Sequence, residues 1–246
     1  MRSEYKCLPV LVSFREITSS AKTDYRTLGD EVVTIYVGAK RKAFKIHKKL
    51  LCEQSDYFSK AFNGRFQEAN GEMYCPEDNP TAFSYFVNYV YWNVLPKLPP
   101  KDATDKYEYD YYCGLSGLFF LAEKLCMNEL GNKTMDAIQD HQRIYERFIS
   151  CKGLVDIYRD THENSKLRAF GLLSYTKNQM NQTNSKKDLA KAEEMLSSVP
   201  EIAKDFFLFQ LKHTKLLDPD VRSIKGYGKC FFHTHAEGET CHLGAS

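Results

Sequence analysis

Apolar residues recur along this chain with two periods, and the change between them marks out its elements. Residues 32–37 (VVTIYV) are β-branched and apolar, the composition of a buried strand. Residues 38–42 supply a turn, and residues 43–46 place Phe44 and Ile46 on one face by the two-residue period, which predicts a hairpin. From His47 onward the period becomes helical. Leu50 and Leu51 mark a helix over 47–53, and Ser55 is a good N-cap for the next one, where Tyr57, Phe58, Ala61 and Phe62 share a face. Residues 73–75 read as a short strand.

Asn79-Pro80 has the form of an N-cap followed by proline in the first turn. Phe83, Phe86, Val87, Val90 and Tyr91 then give the clearest amphipathic helix of the chain. Three prolines and mixed charge break the pattern over 92–111, so residues 93–111 are expected to form a long loop insertion, and loops of that length often carry function. Leu115, Leu118, Phe119, Ala122 and Leu125 define a further helix. Gly131-Asn132 is expected to interrupt it before another through Met135, Ile138, Ile144 and Phe148. Helices are also predicted over 166–177, 186–197 and 202–217, with a polar linker at 179–185. Residues 1–29 lack periodicity and read as a flexible arm; residues 223–246 form a glycine-rich, Cys/His-rich tail. Phe58, Phe62, Phe86, Val90, Phe119 and Leu121 are expected in the core.

Several of these residues fall in an order that resembles the BTB/POZ domain. A strand ends in Gly38; Phe44-x-Ile46-His47-Lys48, Leu50-Leu51, Ser55-x-Tyr57-Phe58, Phe62 and Phe66-x-Glu68 follow. A proline-initiated helix then carries Phe83, Phe86 and Val90-Tyr91, and Leu121-Ala122-Glu123-Lys124 is similar to a later helix of that family. Ile157-Tyr158-x-x-Thr161 and Ser165-x-Leu167-Arg168 resemble the helical extension of stand-alone members. The resemblance implies an α+β fold, a small mixed sheet capped by a helical cluster over residues 30–140, followed by an all-helical extension over 141–222. It implies a structural His47 whose ring bonds backbone near the hairpin. It also implies protein partners: a homodimer, or docking on a scaffold such as a cullin-type ubiquitin ligase. Val32 stands where many members carry an acidic residue used in their dimer interface. The sequence shows neither a kelch repeat nor a paired zinc-finger array, so partner recognition is expected in residues 93–111, the extension or the tail.

Charge and composition narrow this picture. The chain has 246 residues, with 34 basic and 32 acidic side chains and a formal net charge of +2. That balance argues against a dedicated nucleic-acid or membrane-surface protein. No apolar run approaches the ~20 residues of a membrane span, and no leader is expected. The eight cysteines lie mostly among apolar neighbours, so a reducing compartment, cytoplasm or nucleus, is expected, with no structural disulfides. The sequons at Asn132 and Asn181 are then chance matches.

Candidate chemistry is sparse. No nucleophile elbow surrounds Ser116, and no phosphate-cradling loop is present, so no catalytic residue and no required cofactor are assigned. The basic run Lys40, Arg41, Lys42, Lys45, Lys48 and Lys49 reads as a solvated turn and helix face, with a phosphate patch as the rival reading. Tyr107, Tyr109 and Tyr111 alternate with acidic residues and are candidate partner contacts, against the alternative that they simply pack. Cys230-x2-His233-x-His235-x5-Cys241-His242 is the one constellation with metal chemistry, and Cys230, His233, His235 and Cys241 are the candidate zinc ligands. The leading function is a non-enzymatic adaptor. The rivals are a transcriptional or nucleic-acid-associated regulator that oligomerises through the domain and uses a zinc tail, and an enzyme using that zinc.

Overall fold

The computed structural model describes residues 28–181, 185–214 and 216–244. The expected arm therefore lies almost wholly outside the described residues, as does the middle of the polar linker. The chain divides into two compact units: the residues up to Pro99 with Ala103–Leu130, and Pro100–Asp102 with Gly131–Ser246.

The first unit is built on a three-stranded mixed sheet in the order β2-β1-β3. Strands β1 (Val32–Val37) and β2 (Lys42–His47) form the expected antiparallel hairpin, with Ile35 opposite Phe44. Gly38 takes the positive φ that its turn requires, and Arg41 N–H donates to Gly38 C=O at 2.9 Å. Strand β3 (Glu72–Cys75) lies parallel to β1 on its other side. Val33, Ile35 and Val37 alternate inward and are fully buried, as the two-residue period dictates. Helices α1 (Lys48–Gln54), α2 (Asp56–Asn63), α3 (Pro80–Trp92) and α4 (Asp105–Lys124) supply the rest of the core. Phe58, Phe62, Phe86, Val90, Phe119 and Leu121 are all buried, as expected. Each such side chain contributes about 1.5–3 kcal/mol by leaving water.

Capping fixes where these helices begin. Asn79 Oδ1 accepts from Thr81 N–H at 2.7 Å and from Ala82 N–H at 3.2 Å, with Pro80 in the first turn. Ser55 occupies the N-cap position of α2, but its hydroxyl makes no capping bond; it is buried with no hydrogen-bond partner. The N-cap role expected of that side chain is thus not realised, because Ser55 sits between two abutting helices. Helices α3 and α4 approach closely at Gly114 and Gly117: a Cβ on Gly117 would lie 2.9 Å from Ala82 Cβ, and one on Gly114 2.4 Å from the Tyr85 ring.

Three expectations need correction. The insertion loop ends at Thr104, not at residue 111. Thr104 Oγ1 accepts from Tyr107 N–H at 3.3 Å and caps α4, and Asp105 and Glu108 in its first turn favour the helix dipole. Charge and low apolar density hid this helical start. Nor does Gly131-Asn132 interrupt a helix, because α5 runs unbroken over Asn128–Tyr145. The break lies earlier, at Cys126, which has φ 54. Met127 N–H bonds Ala122 C=O and Cys126 N–H bonds Glu123 C=O, a Schellman closure on a residue other than glycine. Cys126 is exposed in this turn and is disulfide-bonded, so the expectation of no disulfide fails where a thiol is not shielded by core.

The second unit is helical: the body of α5, then α6 (Cys151–Asp160), α7 (Lys166–Asn181), α8 (Lys186–Ser198) and α9 (Glu201–Lys212), with a 3-10 turn at Val221–Ser223. Helix α6 was not foreseen. It packs against α7 and α8, and α9 packs against α7 and α8. Leu154, Leu167, Phe170, Leu173, Ile202 and Phe232 are buried between them. Much of this unit is held by polar groups. Arg168 donates to Thr161 C=O at 2.7 Å, to Tyr158 C=O at 3.0 Å and to Thr161 Oγ1 at 3.1 Å, and it stacks on the Tyr158 ring. Buried Ser174 donates to Gln142 Oε1 and accepts from Ile149 N–H at 3.0 Å.

Candidate functional site

The motif residues of the first unit serve its packing. Phe44 meets Phe83 with ring centroids 4.9 Å apart, and Phe58 contacts Tyr57, Phe62 and Phe86. His47 does have a structural bond, though not to backbone as expected. Its Nδ1 lies 2.7 Å from Tyr91 Oη, and its own backbone N–H donates to that oxygen at 3.1 Å. Both contacts fall on the Tyr91 hydroxyl, and the strand end is pinned to α3.

The three candidate tyrosines separate by helical geometry. On α4, Tyr107 and Tyr109 are 56% and 64% exposed. Tyr111 turns inward, is buried, and donates to Pro96 C=O at 3.3 Å; it packs rather than awaiting a partner. The residues before the insertion mirror the first two: Trp92 and Val94 are 66% and 54% exposed. The loop 93–104 is thus flanked in sequence by large exposed apolar side chains on both sides.

The basic run is partly engaged within its own unit. Lys48 pairs with Glu31 at 3.0 Å, Arg41 lies over the Tyr74 ring, and Lys42 lies over Phe44.

The tail brings the four candidate metal ligands together. The ligand atoms of Cys230, His233, His235 and Cys241 all lie within 4.8 Å of one another. Local turns do this. His233 N–H donates to Cys230 C=O at 3.0 Å, so the two residues flank one tight turn. A second turn closes with Glu239 N–H to Ala236 C=O at 3.1 Å, Gly238 supplying a positive φ, and returns the chain to Cys241. The tail is also anchored on helices of its own unit. Phe232 is buried edge-on against Phe170. Asn132 on α5 receives Thr234 N–H on Oδ1 at 2.8 Å and donates Nδ2–H to Thr234 C=O at 2.9 Å.

Sequence reasoning missed a carboxylate beside this cluster. Asp136, one turn along α5 from Asn132, lies 3.1 Å from His233 Nε2 and 2.8 Å from His242 Nε2. It sits 97 residues from His233 in the chain, so no local spacing could have signalled it. Burial works to raise the Asp136 carboxyl, but the hydrogen bonds and positive charge of the two imidazoles outweigh it and hold it below the usual carboxylate range. Burial likewise disfavours a charged His233, yet Asp136 raises its pKa. The sulfurs of Cys230 and Cys241 stand 3.3 Å apart. Burial and the neighbouring Cys241 push Cys230 up to about 11. For Cys241, burial is overcome by the Leu243 N–H and by Cys230 and His233, and its thiol is lowered. The Cys230 S–H therefore donates to the Cys241 sulfur.

Among the described residues no helix is long and apolar enough to cross a membrane. The family model described as BTB/POZ domain matches residues 30–142. No curated protein matches the chain closely.

Proposed function

We propose that this chain, whose residues 30–142 match the BTB/POZ domain, a protein-interaction and oligomerisation module, works as a non-enzymatic adaptor. One part of it binds a scaffold or a second copy of the chain, and another selects a partner. The observation that carries this reading is the set of large exposed side chains flanking the loop 93–104 within the matched domain: Trp92, Val94, Tyr107 and Tyr109. Aromatic side chains that remain in water are the usual anchors of protein interfaces. Self-association is one of the two uses; Val32, 49% exposed at the start of β1 where many members carry an acidic dimer-interface residue, is a departure that weighs against the family's usual dimer. The other is docking on a cullin-type ubiquitin ligase. The six cysteines Cys52, Cys75, Cys113, Cys151, Cys230 and Cys241 are free, which favours a reducing compartment, cytoplasm or nucleus, while the disulfide at Cys126 weighs against it.

The regulator reading gains less. Three of the six basic hairpin residues already face an acidic or aromatic partner of their own unit, which weakens a phosphate-binding role.

Calorimetric titration of the full chain against a cullin N-terminal domain tests the proposal, alongside light scattering across a concentration series. Saturable binding at roughly micromolar Kd, or a concentration-dependent dimer, is expected. Truncating an anchor, Tyr109→Ala or Trp92→Ala, is expected to weaken one of these at least tenfold, about 1.4 kcal/mol. A monomer at all concentrations, with no heat from a folded cullin domain, would remove both uses.

A further inference from the structure

The geometry points to a closed structural zinc site formed by Cys230, His233, His235 and Cys241, with Asp136 as the carboxylate that orients His233. The donor set is two sulfurs and two imidazoles, the soft tetrahedral combination that selects zinc. Zinc–sulfur bonds of about 2.3 Å and zinc–nitrogen bonds of about 2.0 Å place neighbouring ligand atoms of a tetrahedron roughly 3.3–3.8 Å apart. Cys241 Sγ and His233 Nδ1 are 3.5 Å apart, already at that separation. The Cys230 and Cys241 sulfurs, at 3.3 Å, need open by only about half an ångström. They are far outside the ~2.05 Å of a disulfide.

His233 decides between two overlapping donor sets, since Asp136, His233 and His242 also converge. Its two ring nitrogens face different groups. Nδ1 faces Cys241, and Nε2 faces Asp136 at 3.1 Å. His242 Nε2 is 2.8 Å from the other Asp136 oxygen. At that separation two atoms share a proton; an ion between them would hold them wider apart. Asp136 is therefore a hydrogen-bond acceptor for both imidazoles. It fixes the tautomer that leaves His233 Nδ1 free to ligate, the usual outer carboxylate of a metal-bound histidine. Leu243 N–H, 3.4 Å from Cys241 Sγ, adds a donor to that sulfur.

The site also has a structural reason to exist. Residues 224–244 contain no helix or strand; they are anchored to the unit through Phe232, Asn132 and Asp136 and through Tyr227 and Phe231, whose rings meet His213 and Phe209. A short irregular segment commonly needs a metal or disulfide staple. All four ligand positions are filled by protein, which leaves no open position for catalysis.

The full chain is reconstituted with zinc under reducing conditions, and separately with cobalt(II). One metal per chain and a thiolate-to-cobalt charge-transfer band are expected. His235→Ala removes an exposed ligand whose ring meets His233 at the edge of the cluster and lies outside the core, so it tests ligation with little risk to the fold; it and Cys230→Ser are expected to lose the metal. His242→Ala is expected to keep one metal per chain. Asp136→Asn is expected to keep the cobalt band but weaken zinc against a competing chelator about 10–100-fold. Absence of metal from the folded chain overturns the proposal, as does a Cys230–Cys241 disulfide that persists under these conditions, located by peptide mapping to separate it from the disulfide at Cys126. Loss of metal in His242→Ala with retention in His235→Ala would transfer the site to Asp136, His233 and His242.

Discussion

The two units solve the same problem with different chemistry. The first buries rings and branched chains around a short sheet: Phe58, Phe62, Phe83 and Phe86 touch in sequence around β1. The second has fewer large apolar groups per helix and closes its gaps with polar ones. Arg168 collects two carbonyls and a hydroxyl, Ser174 joins Gln142 to the Ile149 amide, and Asn132 clasps the tail backbone. Apolar contact is non-directional and tolerates repacking when volume is kept, whereas a buried hydrogen bond is lost outright when one partner goes. The lesson is that stability in the first unit follows volume, and in the second follows connectivity.

The sharpest probe of that contrast is Phe62→Ala, expected to cost the first unit about 3–5 kcal/mol in denaturant unfolding. A loss under about 1 kcal/mol would mean the core has been misplaced. In the second unit Arg168→Ala is expected to cost about 2–3 kcal/mol by leaving the Thr161 and Tyr158 carbonyls short of donors, and Arg168→Lys should recover less than half, since lysine has no planar fork. Full recovery by lysine would show that charge rather than connectivity matters. Gly117→Ala adds one methyl group where Ala82 leaves no room, and a loss of about 1–3 kcal/mol is expected from overpacking. The smallest effect is expected at Ser55→Ala. Removing a buried hydroxyl without a partner should leave stability unchanged or raise it by about 1 kcal/mol, and a clear loss would reveal a capping role that its geometry does not provide.

The same contrast explains what was legible in the sequence. The hairpin, the faces of α2 and α3, the Asn79-Pro80 start and the named core residues followed from period and capping, because apolar burial repeats along the chain. Helix α6 escaped notice, as did the first turns of α4. Their sequences mix charge with few apolar positions, and their starts rest on single hydroxyl caps, Ser150 and Thr104. The end of α4 was misplaced because a Schellman turn on Cys126 carries no glycine to announce it. Cys230, His233, His235 and Cys241 stood out because ligands crowd a short stretch. Asp136 did not, since an outer carboxylate is chosen by the fold and not by spacing.

Asn132 opens the sequon Asn132-Lys133-Thr134, and its amide is spent on both backbone groups of Thr234 with only 4% of the residue exposed. An oligosaccharide on that nitrogen and a docked tail are mutually exclusive. Were the chain routed through a glycosylating compartment, sugar at Asn132 would count the molecules whose tail had not yet closed, and the folded form would be refractory to the transferase. The amide that would make Asn132 an acceptor is thus already committed to holding the tail.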